Sequence, residues 1–131
     1  TVHIKDVKLP IMAVTCETDH IAAWKDCYRG FLQTGSRDKS FIVSESGHIA
    51  GIVNPPSKKK YGYYTNSELP ETADAWLDGA SEQKGSWWPE WEAWLRKRSG
   101  KKIAARKPGG KSHNSLGAAP GEYVRRKASH L

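Results

Sequence analysis

The order of hydrophobic patterns across residues 9–44 constrains the fold more than any other feature of the chain. Residues 9–16, Leu-Pro-Ile-Met-Ala-Val-Thr-Cys, form a short, nearly continuous apolar run. Such a run suits a strand buried on both faces, as in a parallel sheet. After the polar break Glu17-Thr18-Asp19-His20, the residues Ile21, Trp24, Tyr28, Phe31 and Leu32 recur at helical spacing. Thr18 or Asp19 is placed to cap that helix, and Gly35 stands past its end. Residues 39–44, Lys-Ser-Phe-Ile-Val-Ser, read as a second strand. Strand, helix and strand joined by short connections make a parallel crossover, so the fold class is α/β.

The next passage, Glu45-Ser46-Gly47-His48-Ile49-Ala50-Gly51, is a turn in which glycines let the backbone bend or approach a neighbour closely. Asn54-Pro55-Pro56 ends it. Tyr61, Tyr63 and Tyr64 form an aromatic segment whose conformation the pattern does not fix. Residues 71–80 suit a short helix through Ala73, Trp76, Leu77 and Ala80. Pro89 fits the first turn of another helix, on which Trp91, Trp94 and Leu95 share a face. Trp87, Trp88, Trp91 and Trp94 fall within eight residues, which implies burial against something larger.

Charge divides the chain. The net charge is +7 over 131 residues. Residues 1–95 carry 10 Lys+Arg against 13 Asp+Glu, while residues 96–131 carry 11 against 1. We therefore expect a folded part at 1–95 and a basic, weakly structured tail at 96–131. A basic tail can bind nucleic acid or an anionic surface, but Tyr123 is its only aromatic residue. A solvated tail is the plainer reading, and nucleic acid is a disfavoured partner. The start at Thr1 shows no basic and apolar leader pattern, and the longest apolar stretch is too short to span a bilayer. Cys16 and Cys27, without a CxxC motif, read as buried free thiols in a reducing compartment. His3, His20, His48, His113 and His130 lack metal-ligand spacing, so no metal is expected.

Two polar residues occupy equivalent places. Asp19 follows the first strand and His48 follows the second. In a parallel sheet the carboxyl ends of neighbouring strands open into one crevice. An acid there can orient an imidazole, which then acts as a base toward a third group. Two blander readings stay open: Asp19 as a helix cap and His48 as a structural residue of a Gly-rich turn. The order of acid before His is that of the α/β-hydrolases, whose nucleophile precedes both. No Gly-x-Ser-x-Gly or Gly-x-Cys-x-Gly elbow occurs in the chain. Cys16 ends the Asp-bearing strand without the elbow's glycines, and Cys27 lies in mid-helix among core positions. If the pair is catalytic, its nucleophile lies elsewhere.

Several motifs run in order along nearly the whole chain: Glu17-Thr18-Asp19-His20-Ile21, Ser46-Gly47-His48-Ile49-Ala50-Gly51-Ile52-Val53-Asn54-Pro55-Pro56, Tyr64-Thr65-Asn66, Gly85-Ser86-Trp87-Trp88-Pro89-Glu90-Trp91 and Ala119-Pro120-Gly121-Glu122-Tyr123-Val124. They resemble the C-terminal part of class I polyhydroxyalkanoate synthases. The resemblance implies a C-terminal fragment of an α/β-hydrolase-type catalytic domain: the last parallel strands with their crossover helix, an irregular Trp-rich segment and the basic tail. It implies a Cys–His–Asp triad in which Asp19 is the acid and His48 the base, with the Cys upstream of Thr1. Ala50, small and two residues from His48, is a candidate wall of the acyl pocket. The implied reaction extends a polyester with (R)-3-hydroxyacyl-CoA, most simply 3-hydroxybutyryl-CoA, and releases CoA. It needs no cofactor besides the CoA thioester substrate. The implied setting is a homodimeric cytoplasmic enzyme at the surface of polymer granules. Two departures stand out: Ala22-Ala23 where relatives commonly have a proline, and a loose match over residues 99–118. His20, beside the acid, is expected to be satisfied structurally. The alternatives are another α/β-hydrolase, an esterase or depolymerase, and a non-enzymatic basic module that binds nucleic acid or a granule surface.

Overall fold

A computed structural model describes residues 1–127; His130 lies outside the described residues. Two compact units are present, Thr1–Ser99 and a second from Gly100 onward. The first contains strand β1 (Ile11–Cys16), helix α1 (Trp24–Leu32), β2 (Lys39–Ser44), β3 (Gly62–Thr65), helix α2 (Ala73–Asp78), β4 (Ser81–Lys84) and helix α3 (Trp88–Arg96). The strands form one sheet in the order β1-β2-β3-β4. β1 and β2 are parallel, with Ile11 opposite Lys39 and Cys16 opposite Ser44. β3 and β4 extend the sheet antiparallel, so the α/β sheet is mixed.

The core follows from the helical spacing of α1. Trp24, Tyr28 and Phe31 point at Phe41 and Val43, which alternate onto one face of β2, and α2 adds Ala73 and Trp76. Tyr28 and Phe41 meet edge to face at 5.0 Å, as do Phe41 and Trp76 at 5.4 Å. Tyr28 also donates to the Pro70 carbonyl at 2.7 Å, which satisfies the hydroxyl that its burial would otherwise strand. The ammonium of Lys39 reaches the carbonyls of Phe31 and Leu32 at 3.2 and 2.9 Å, closing the negative end of α1. Thr72 caps α2 by accepting from Ala75 N–H at 3.2 Å.

Three expectations are corrected. α1 begins at Trp24, with Ala23 at its cap position and no side-chain cap. Ile21 lies outside it and is 68 % exposed, so neither Thr18 nor Asp19 caps this helix. Residues 11–15 of β1 are half-buried rather than buried on both faces, because β1 has a strand neighbour on one side only among the described residues. Cys16 is buried, but Cys27 is only half-buried on α1.

The strand β4 carries no apolar alternation. Its residues, Ser81-Glu82-Gln83-Lys84, are exposed, and backbone pairing with β3 alone makes them a strand. The tyrosine segment becomes β3, and the Trp-rich segment becomes α3 with Pro89 in its first turn. In that segment Trp87 is buried while Trp91 is 42 % exposed. Arg98, at the close of the unit, lies over the Trp94 ring at 4.1 Å and pairs with Asp38. The second unit, taken by itself, has a single 3-10 turn, Tyr123–Arg125, and exposed side chains among its described residues. No helix of the described residues is long and apolar enough to cross a membrane.

Candidate active site

Because β1 and β2 are parallel and in register at Cys16 and Ser44, the segments that leave them depart from the same end of the sheet. Backbone bonds continue past both strands: Glu17 N–H donates to Ser44 O at 2.8 Å and Thr18 N–H to Ser46 O at 3.1 Å. Ser46, at φ 75°, then swings the chain into the turn that carries His48. That turn is closed by Gly51 N–H on Gly47 O (2.9 Å) and Val53 N–H on Ile49 O (2.8 Å).

Asp19 and His48 meet here. His48 Nδ1 lies 2.7 Å from Asp19 Oδ2. The other carboxylate oxygen, Oδ1, accepts the N–H groups of Ile21 and Ala22 at 2.8 and 2.9 Å. The carboxylate is thereby fixed by its own loop and offers its second oxygen to the imidazole. The Asp19 side chain is 7 % exposed and that of His48 49 %. With Nδ1 engaged, the neutral ring presents Nε2 as its free acceptor. The Ala22 N–H first, and then the His48 bond, lower the Asp19 pKa from 3.8 to about 2. A lowered acid contributes stability that is present above the ordinary carboxylate range and is lost as pH falls toward about 2. Asp19 therefore stays ionised throughout the neutral range.

Ala50 sits half-buried in the same turn. Hollows of about 390 Å³ along α3 and about 320 Å³ beside β2 are lined by neither Asp19, His48 nor Ala50. His20 is exposed, which corrects the expectation of a structurally satisfied residue. Cys16 is buried, and burial first, then the charge of Asp19, pushes its thiol up to about 11. A thiol held protonated is a poor nucleophile. Neither cysteine is hydrogen-bonded to His48 among the described residues.

The sequence reading missed what holds the His48 turn. The Gly51 carbonyl accepts from Ser44 Oγ and from the Trp87 indole N–H, each at 2.9 Å. The neighbouring Ile52 carbonyl accepts from the Trp88 indole at 3.0 Å. The available signal was the pair of adjacent indoles, since a buried tryptophan N–H seeks an acceptor. Gly51 itself is fixed by space: a Cβ there would lie 2.6 Å from Cys16 Sγ and 2.7 Å from Glu45 O. Gly51→Ala should therefore destabilise the fold by about 1–3 kcal/mol, the usual cost of overpacking. It should also displace the His48 turn. Thermal unfolding beside an NMR comparison of the His48 and Asp19 signals checks this, and an unchanged melting temperature would contradict it.

No family model matches the chain. Among curated proteins it is 46 % identical over 123 residues to the poly(3-hydroxyalkanoate) polymerase subunit PhaC of Rhizobium etli, covering 94 % of this chain and 19 % of that protein. It is 42 % identical over 127 residues to the PhaC subunit of Rhizobium meliloti, covering 97 % and 20 %. To that of Cupriavidus necator it is 39 % identical over 128 residues, covering 97 % and 22 %. The chain thus spans about a fifth of the length of the curated relatives it matches.

Proposed function

We propose, on the premise that this chain is a segment of a poly(3-hydroxyalkanoate) polymerase, that it supplies the acid and the base of a Cys–His–Asp triad on an α/β-hydrolase-type fold. The observation that carries this reading is the 2.7 Å bond between His48 Nδ1 and Asp19 Oδ2 at the shared end of two parallel strands. The buried, doubly anchored carboxylate holds the imidazole in one tautomer and balances its charge when it becomes protonated.

The nucleophile in this reading is a cysteine outside the chain. Its thiol gives its proton to His48 Nε2, and the thiolate attacks the carbonyl carbon of a (R)-3-hydroxyacyl-CoA. The C–S bond to CoA breaks, the proton passes from His48 to the departing thiolate, and an acyl-cysteine thioester remains. In the transfer step His48 takes the proton of a 3-hydroxyl, whose oxygen attacks the carbonyl of an acyl thioester; the C–S bond breaks, the new ester bond forms, and the proton passes from His48 to the departing thiolate. Each cycle joins one acyl unit and frees one CoA. Ala50, beside the imidazole in sequence, is the proposed border of the acyl pocket.

A hydrolase built on the same pair would pass the acyl group to water instead. The full-length polymerase containing this chain, given (R)-3-hydroxybutyryl-CoA, should release CoA while forming polymer. Free 3-hydroxybutyrate in step with CoA, without polymer, would establish the hydrolase and overturn the transfer reading.

A further inference from the structure

We infer that Trp87 and Trp88 are positioning residues for His48, a clamp on the turn that carries the imidazole; this rests on the triad reading above. The two indoles donate to consecutive carbonyls, Gly51 O and Ile52 O, 36 residues away in sequence. Those carbonyls belong to the turn whose first closing bond, Gly51 N–H on Gly47 O, encloses His48. Gly51 is thus held on both of its peptide groups, by Gly47 on one and by Ser44 and Trp87 on the other.

The clamp is itself rigid. Trp87 is 8 % exposed and contacts the rings of Trp88 and Trp91 at 6.4 and 5.9 Å. Ser86 Oγ accepts the Trp88 backbone N–H at 3.1 Å, and Pro89 fixes the first turn of α3. Packing alone does not explain an indole at position 88. Trp88 is only half-buried, and its indole N–H is committed to the Ile52 carbonyl. What tryptophan adds is one directed donor. His48 needs that direction because its ring is about half exposed and is held by Asp19 at a single atom. A shift of the turn by a fraction of an ångström opens that bond, and catalytic geometry is sensitive to displacements of this size.

The test uses the full-length polymerase with Trp88→Phe and Trp87→Phe, which keep an aromatic ring and lose the N–H. Each should lower kcat for CoA release about tenfold, because the turn that aligns His48 with Asp19 is no longer held in place. KM for (R)-3-hydroxybutyryl-CoA should stay close to wild type, and the melting temperature should fall by no more than a few degrees, the cost of one lost carbonyl bond. In an Asp19→Asn background the same substitutions should cost less than about twofold, because the bond they protect is already altered. Should Trp87→Phe fail to fold, Ser44→Ala removes the other donor to Gly51 O and should show the same non-additivity. Wild-type kcat in both Phe variants, or an undiminished loss in the Asp19→Asn background, would overturn the clamp while leaving the triad standing. Wild-type rates in the Asp19 and His48 variants themselves would overturn the triad reading, and the clamp with it.

Discussion

Replacing His48 by alanine in the full-length polymerase should lower CoA release from (R)-3-hydroxybutyryl-CoA by about 10⁴–10⁶-fold, the range seen when a triad loses a member. Asp19→Asn should also cost orders of magnitude, and no more than the loss of the base. The amide keeps the shape of the carboxylate and can still accept from Ile21 and Ala22, the two N–H groups that fix Asp19 in its loop. What it loses is the charge that faces the imidazole and the certainty of an acceptor toward Nδ1. The double variant should be little worse than His48→Ala alone, since the carboxylate acts through the ring. Steady-state CoA release across the three variants checks this. A His48→Ala enzyme near the wild-type rate would return His48 to a structural residue of a Gly-rich turn.

The 131-residue chain by itself should release no CoA above the buffer rate. The reason lies in its two thiols. Cys16 is buried with its pKa pushed to about 11, first by desolvation and then by the negative charge of Asp19, which places the wrong electrostatic partner beside a prospective thiolate. Cys27 stands half-buried on α1, its Sγ 3.8 Å from the Ala22 carbonyl. The chain therefore holds an imidazole oriented by a carboxylate and, in the triad reading, no thiol for it to activate. Incubation with (R)-3-hydroxybutyryl-CoA and a thiol-reactive dye reads the outcome. Turnover that disappears on Cys16→Ser or Cys27→Ser would show that the nucleophile is within the chain.

The strand-helix-strand unit was legible because each element writes its own period. The aromatic residues of α1 are spaced to meet one face of β2, and the short joins force the strands parallel. The antiparallel extension was not legible. Ser81–Lys84 has no buried face to impose alternation, and its conformation comes from the backbone of β3. Asp19 shows why one residue resisted a single assignment. An acid after a strand can serve its own loop or a distant partner, and here one oxygen does each. The bracing of the His48 turn depends on contacts between residues 44, 51, 52, 87 and 88. The glycine was visible in the sequence, but the groups that pin it are set by the fold. Ile21 illustrates the opposite error: apolar spacing extended the helix to a residue that the Asp19 loop leaves in solvent.

The most direct measurement follows the covalent intermediate in the full-length polymerase. Wild-type and His48→Ala enzymes are mixed with one equivalent of (R)-3-hydroxybutyryl-CoA, quenched in acid, and weighed by mass spectrometry. The wild type should carry one 3-hydroxybutyryl group on a cysteine outside residues 1–131 within the time of a turnover, and His48→Ala should remain unacylated over that time. Acylation of the His48→Ala enzyme at the wild-type rate would contradict the assignment of His48 as the base that activates the thiol.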